Sequence, residues 1–257
     1  MPEPGVRTVL FDVDDTLVDF AGAARAALAE VVVAALGGDP ASTPGAGAGA
    51  DEDLVAAAQH AWQQVSEHEY SRFTAGELDF DQMRLSRMSA FLRTIDRPGA
   101  RRLDHELMEQ RRNEAIFGHF RLFDDVPAAL HRLRAAGIAV RVLSNSDGAY
   151  QRAKLTAVGL GDLAADGFFS GELGVAKPDP RIFTLAAARL GRAPAEVAYV
   201  GDRWEVDVLG SLAAGMASVW LNRAGADRPD GQRATGPVAQ IATLDELVVA
   251  GGGLHLG

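Results

Sequence analysis

A short apolar run that stops abruptly at carboxylates constrains this chain more than any other feature. Thr8, Val9, Leu10 and Phe11 are β-prone, and Asp12-Val13-Asp14-Asp15-Thr16 follows at once. A buried strand does not tolerate such an acidic continuation, so the strand must end there. In a parallel sheet the chemistry lies just beyond the carboxyl ends of the strands. Alternate residues of an extended chain point the same way, so Asp12 and Asp14 can converge on one site. Two converging carboxylates repel unless a cation or a shared proton relieves them. A divalent metal is the natural guest, and phosphate chemistry the natural use.

The rest of the chain says what that strand belongs to. Ile138–Leu143, Val197–Val200 and Ala217–Leu221 read as further buried strands, separated by helical stretches near 147–158, 180–190 and 206–214. Asp125 and Pro127 open another helix, which stops before Gly137. Thr243-Leu244-Asp245-Glu246 is a capping-box signal for a last helix. This alternation predicts an α/β fold, a doubly wound parallel sheet covered on both faces. Between the first strand and Phe120 the pattern is helical instead, with segments near 20–36, 51–73, 78–95 and 103–117. Gly37 to Ala50 is a Gly/Ala/Pro-rich loop. We therefore expect a catalytic core from residues 1–18 and 120–257, interrupted by an all-helical cap at 19–119.

Composition removes several classes of function. The chain of 257 residues, 47% hydrophobic, can bury a substantial core. It has no cysteine, which excludes disulfides, thiolate metal sites and a cysteine nucleophile. A net charge of −10 argues against nonspecific nucleic-acid binding. The densest basic spots, Arg101-Arg102 and Arg111-Arg112, alternate with Asp104, Glu106, Glu109 and Glu114, which predicts a solvated helix face with ion pairs. No apolar run reaches the roughly 20 residues that span a bilayer. Met1-Pro2-Glu3-Pro4-Gly5 lacks a secretory pattern, so a cytoplasmic protein without a membrane partner is expected. The six histidines show no metal spacing, and neither a G-x-S-x-G elbow nor a Walker sequence occurs.

Two more strands end as the first does. The strand through Val142-Leu143 runs into Ser144-Asn145-Ser146-Asp147, and Ala198-Tyr199-Val200 into Gly201-Asp202 with Asp207 beyond. Between them lies Lys177, in the proline-stiffened loop Ala176-Lys177-Pro178-Asp179-Pro180. This ordered set resembles the haloacid dehalogenase superfamily of phosphatases and phosphotransferases. Asp12-x-Asp14-x-Thr16 is similar to its first motif, Ser144 to its second, Lys177 to its third, and Gly201-Asp202 with Asp207 to its fourth.

The resemblance implies roles. Asp12 would be the nucleophile and Asp14 the general acid and base. Mg²⁺ would be held by Asp12, Asp202 and the main-chain carbonyl of Asp14. Lys177 would grip Asp12 and the phosphoryl oxygens, and Ser144 and Asn145 would hold the remaining oxygens. Thr16 would brace the first loop, and Asp207 would support the metal and orient Lys177. Dehalogenases of the superfamily lack an acid at the position of Asp14, so a phosphohydrolase is the expectation. Its substrate would be a small phosphorylated metabolite, with a phosphomutase or a phosphate-accepting regulatory domain as alternatives. Monomer and homodimer both stay open.

Other residues carry open alternatives. Lys154 is as readily a helix-surface charge as a ligand. Trp204 either lines the entrance or covers apolar surface. Tyr70, Arg72, Arg84 and Arg87 of the cap are candidates for leaving-group contacts, each more ordinarily a surface or packing residue.

Overall fold

A computed structural model of the chain describes residues 6–35, 48–94, 103–229, 234, 236, 238–250 and 253–255. The stretch 37–47 and the pair Arg101-Arg102 lie outside the described residues. The chain forms two compact units, Met1–Asp19 with Arg121–Gly257, and Phe20–Phe120.

In chain order, β1 (Thr8–Phe11) comes first, followed by α1 (Phe20–Ala35), α2 (Ala48–Thr74), α3 (Phe80–Thr94) and α4 (His105–His119). Next come α5 (Val126–Ala135), β2 (Ala139–Ser144), α6 (Gly148–Ala157), α7 (Gly161–Ala165), β3 (Phe168–Phe169), α8 (Ser170–Leu173) and α9 (Pro180–Arg189). The series closes with β4 (Val197–Gly201), α10 (Leu209–Ala213), β5 (Ala217–Leu221), β6 (Val238–Ile241) and the antiparallel pair β7 (Val248–Ala250) and β8 (Gly253–His255).

The first unit is built on a six-stranded sheet in the order β3-β2-β1-β4-β5-β6, parallel throughout. β1 is central. Val9, Leu10 and Phe11 are fully buried, as an inner strand of a helix-covered sheet requires. The chain leaves β1 for β2 and β3 on one side, then crosses to β4 on the other. Such a reversal opens a crevice at the strand ends, and Asp12 sits there.

Helix α9 shows how the sequence sets this layer. Asp179 caps it by accepting the Arg181 N–H, and Pro180 occupies the first helical position. Its apolar stripe, Ile182, Phe183, Ala186 and Ala187, packs on Leu10, Leu143 and Tyr199 of the sheet. The Phe183 and Tyr199 rings meet edge to face at 4.9 Å.

The second unit is helical, with no strand among its described residues. Leu28, Val31, Ala58, Trp62, Met88, Phe91, Leu92 and Met108 form its core. Asp104 caps α4, accepting from the N–H groups of Glu106 and Leu107. One expectation changes here. Arg112 is not on a solvated face. It is buried with Glu109, which it meets through Nε at 2.9 Å and Nη2 at 2.8 Å.

Three further differences are local. The capping box at Thr243 starts only a 3₁₀ turn, Leu244–Glu246, because Val248 enters β7 directly afterwards. The helix expected at 206–214 begins as a wide π-type turn, Trp204–Val208. Trp204 itself is buried against Val208 and Trp220, which settles its two alternatives in favour of packing.

Candidate active site

Four strand-end loops of the first unit bring the acidic and basic residues together. At the centre, the buried Lys177 ammonium donates to Asp12 Oδ1 at 2.8 Å, Tyr199 OH at 2.8 Å and Asp207 Oδ1 at 2.7 Å. An ammonium has three hydrogens, and these contacts account for three donors. Lys177 therefore grips Asp12 as the sequence suggests, but reaching a phosphoryl oxygen as well requires it to release or share one of these bonds.

The lysine loop is clamped. Asn145 Nδ2 donates to the Lys177 carbonyl at 2.8 Å, and the Lys177 N–H donates to Asn145 Oδ1 at 2.7 Å. The Asn145 side chain thus positions the lysine, a task beyond the phosphoryl contact expected of a donor from this residue.

Asp207 is fully buried, with Lys177 on Oδ1 and the Arg203 N–H on Oδ2 at 2.9 Å. The π-type turn carries it there, and Gly201 makes room. A Cβ on Gly201 would stand 2.5 Å from Asp207 Cγ, so only glycine fits. Asp202 accepts from Thr16 Oγ1 at 3.3 Å, and its carbonyl takes the Trp220 indole N–H at 2.9 Å.

One carboxylate oxygen from each of Asp12, Asp202 and Asp207 lies within 4.8 Å of the others. With Lys177 as their nearest cation, three ionised carboxylates would leave the cluster net negative. The titration follows. Burial pushes Asp12 up to about 7, opposed by Lys177 and reinforced by Asp207 and Asp14. Burial also holds Asp202 well above the usual carboxylate range, and Asp207 and Asp12 add to it. Such a cluster calls for a proton or a cation. All its donors are hard oxygens, so the residues fit Mg²⁺. Asp207 already carries Lys177 and Arg203, which points to Asp12 and Asp202 as the side chains best placed to hold it.

Asp14 stands apart from this cluster. Its Oδ1 accepts from Lys154 Nζ at 2.6 Å. Lys154 has no solvent exposure, so its open alternatives resolve to a buried partner of Asp14. The metal role expected of Asp14 concerns its main-chain carbonyl, not this carboxylate. Asp15, next in the loop, has φ of 56°, a left-handed conformation uncommon outside glycine. Arg223 braces the loop from behind, donating to the Thr16 carbonyl at 3.0 Å while pairing with Asp125 through both Nη atoms.

Ser144, at the end of β2, accepts from Gln151 Nε2 at 3.1 Å, which leaves the serine's own hydrogen to donate elsewhere. Sequence reading missed Tyr199 and Gln151 as members of the site. Tyr199 was detectable in principle, since a phenol on a fully buried strand needs a partner.

The fold and this constellation define a hydrolase class, and comparison with known proteins agrees. Residues 6–215 match the haloacid dehalogenase-like hydrolase family, and the chain belongs to it. It is 37% identical to a phosphoserine phosphatase of Thermus thermophilus, in an alignment covering 53% of this chain and 55% of that protein. It is 31% identical to the N-acylneuraminate-9-phosphatase of Mus musculus, covering 86% and 84%. The chain spans about half the length of the first group of curated relatives it matches. Among solved structures, the HAD-hydrolase YfnB of Bacillus subtilis, bound to magnesium, superposes with a TM-score of 0.73 at 23% identity, covering 94% and 96%. A dehalogenase superposes with a TM-score of 0.69 at 26% identity, covering 94% and 95%.

Proposed function

We propose that this protein is a Mg²⁺-dependent phosphohydrolase that cleaves a small-molecule phosphate monoester through an aspartyl phosphate. The observation that carries the reading is the pairing of two carboxylates with separate ammonium partners: Asp12 with Lys177, and Asp14 with Lys154. One is held as a nucleophile, the other as a proton carrier.

Asp12 attacks phosphorus, and the ester P–O bond breaks as the new P–O bond forms. Asp14 gives its proton to the departing oxygen. The Asp14 carboxylate then takes a proton from water, whose oxygen attacks the aspartyl phosphate, releasing inorganic phosphate and restoring Asp12. Ser144 donates to a phosphoryl oxygen, and Lys177 fixes the attacking carboxylate. A divalent cation held by Asp12, Asp202 and the Asp14 carbonyl would neutralise the like charges of nucleophile and substrate.

Dehalogenases share the fold, but the acid at Asp14 argues for phosphate chemistry, because displacing a halide needs no proton donor. Relatives named as phosphatases of phosphoserine and N-acylneuraminate 9-phosphate support a small, polar substrate. The test is phosphate release from p-nitrophenyl phosphate and a panel of sugar, amino-acid and nucleoside monophosphates, with Mg²⁺ and with EDTA. Metal-dependent release on at least one is expected; none on any of them sinks the assignment. Borohydride trapping of Asp12 during turnover would identify the covalent intermediate.

A further inference from the structure

The reaction above uses Lys154 only as the ammonium beside Asp14, yet this lysine is held more deeply than any surface charge would be. It lies in the last turn of α6, on the face it shares with the buried Gln151 and Leu155. Its ammonium passes 5.1 Å from the Tyr150 ring centroid and ends 2.6 Å from Asp14 Oδ1. Placing a lysine where it has no exposure is costly unless the charge meets a specific partner. Here the partner is a site carboxylate that keeps contact with solvent: the Asp14 side chain is 31% exposed, against 8% for Asp12 and none for Asp207.

From this contact we infer that Lys154 is a positioning residue for proton transfer, fixing Oδ1 of Asp14 so that Oδ2 faces the leaving oxygen and, later, the attacking water. Lys154 touches neither substrate nor phosphorus. It acts by removing the rotational freedom of a partly exposed carboxylate on a two-bond stem. Gln151, one turn earlier on the same helix, ends on Ser144 Oγ. One helix face therefore supports both the proton carrier and a phosphoryl donor.

The inference rests on the phosphohydrolase reading, and its test separates the two. Lys154→Met keeps the length and apolar stem while removing the charge; Lys154→Arg keeps a donor. p-Nitrophenolate leaves without a proton, whereas an alkyl phosphate such as glycerol phosphate needs one. In stopped flow, Lys154→Met should still release a burst of p-nitrophenolate close to the enzyme concentration, followed by turnover slowed about 100-fold because the water step lacks an aligned base. On the alkyl phosphate the same variant should show no burst and a loss of about 100-fold or more in kcat, with KM little changed. Lys154→Arg should recover part of that loss. Lys154→Met combined with Asp14→Asn should be little worse than Asp14→Asn alone.

A Lys154→Met protein that melts normally yet loses burst and turnover by one common factor on both substrates would overturn the positioning role. So would one that loses nothing. If Lys154→Met does not fold, the Lys154→Arg variant decides: unequal effects on the two substrates support the role, equal effects refute it. The alkyl phosphate used is the one of the panel that the wild type cleaves best; if the wild type releases phosphate from no member of the panel, the phosphohydrolase reading falls first and this inference falls with it.

Discussion

Each unit of the molecule buries a charge cluster, and the two are mirror images. In the sheet unit, one ammonium, Lys177, faces Asp12 and Asp207 with Asp202 close by. In the helical unit, one carboxylate, Glu109, faces three guanidiniums: Arg112 at 2.8 Å, Arg84 at 3.0 Å and Arg87 at 3.6 Å. Burial is the largest influence on both Asp12 and Glu109, and in both it favours the neutral acid. The outcomes nevertheless diverge. Asp12 is pushed up to about 7, whereas the arginines hold Glu109 below its ordinary value. Burial by itself thus does not mark a site; the ratio of signs does. A carboxylate enclosed by cations is stabilised by them, and the stacking of Arg87 and Arg112 on Trp62, at 4.7 and 5.1 Å, adds to that structural role. Carboxylates enclosed by carboxylates are held in an unfavourable state, which a cation relieves.

The sharpest way to break this comparison is to neutralise one acid in each cluster. Asp12→Asn should lower turnover by roughly 10⁴-fold or more, as loss of a nucleophile does. The metal-free variant should melt no lower than the wild type, because it loses a repelled charge. Glu109→Gln should do the opposite to stability. It takes the Glu109 charge from the buried Arg112 and the partly buried Arg84 and Arg87, a loss of about 3 kcal/mol or more, read as a melting temperature lower by roughly 6 °C or more. If both variants melt alike, the clusters do not differ in the way their charges indicate.

Metal and pH sharpen the contrast next. Asp12 and Asp202 have folded values above their unfolded ones, so the metal-free native state binds more protons between about 4 and 7. Their contribution to stability therefore falls as pH rises through that window. Mg²⁺ held by the same oxygens would replace those protons, so at about 100 times its dissociation constant it should raise the melting temperature by roughly 5–10 °C at pH 8. At pH 5.5 the gain should be clearly smaller, since protons compete for the same oxygens. Glu109 runs the other way. Its value is depressed, so its contribution is complete above the unfolded 4.5 and is lost only as pH falls through the folded value. Scanning fluorimetry across pH, with Mg²⁺ and with EDTA, measures both. Equal Mg²⁺ shifts at pH 5.5 and pH 8 would contradict the assignment of the acidic cluster.

The same contrast explains what was legible in the sequence. β1, β2 and β4 show as apolar runs with sharp polar ends, and those transitions pick out Asp12, Ser144 and Asp202 at three neighbouring strand ends. β3 escaped because two residues make no pattern, and β6 because Val238–Ile241 is only partly buried. Lys154 and Glu109 escaped for a deeper reason. A charged residue on a helix reads as surface unless the face it occupies is known to meet another element, and that is a tertiary fact. Arg112, three residues after Glu109, looked like half of an exposed ion pair for the same reason.

Tyr199 offers the finest adjustment of the acidic cluster, because one atom can be removed without touching a charge. Its hydroxyl accepts from Lys177 and lies 2.9 Å from the Leu143 carbonyl and 3.2 Å from Asp207 Oδ1. Burial, ahead of the charges around it, raises this phenol well above its ordinary value, so it stays a neutral donor and acceptor. Tyr199→Phe keeps the edge-to-face contact with Phe183 but leaves one Lys177 hydrogen without its acceptor. A hydrogen bond to a charged group contributes about 1.5–3 kcal/mol, so a stability loss in that range is expected. The freed hydrogen can turn toward a phosphoryl oxygen, which the wild-type lysine reaches only by releasing a partner. KM should then fall or hold steady while kcat drops by no more than about 10-fold, because Lys177 keeps Asp12 and Asp207. A rise in KM with kcat unchanged would mean instead that the phenol itself helps to form the substrate pocket.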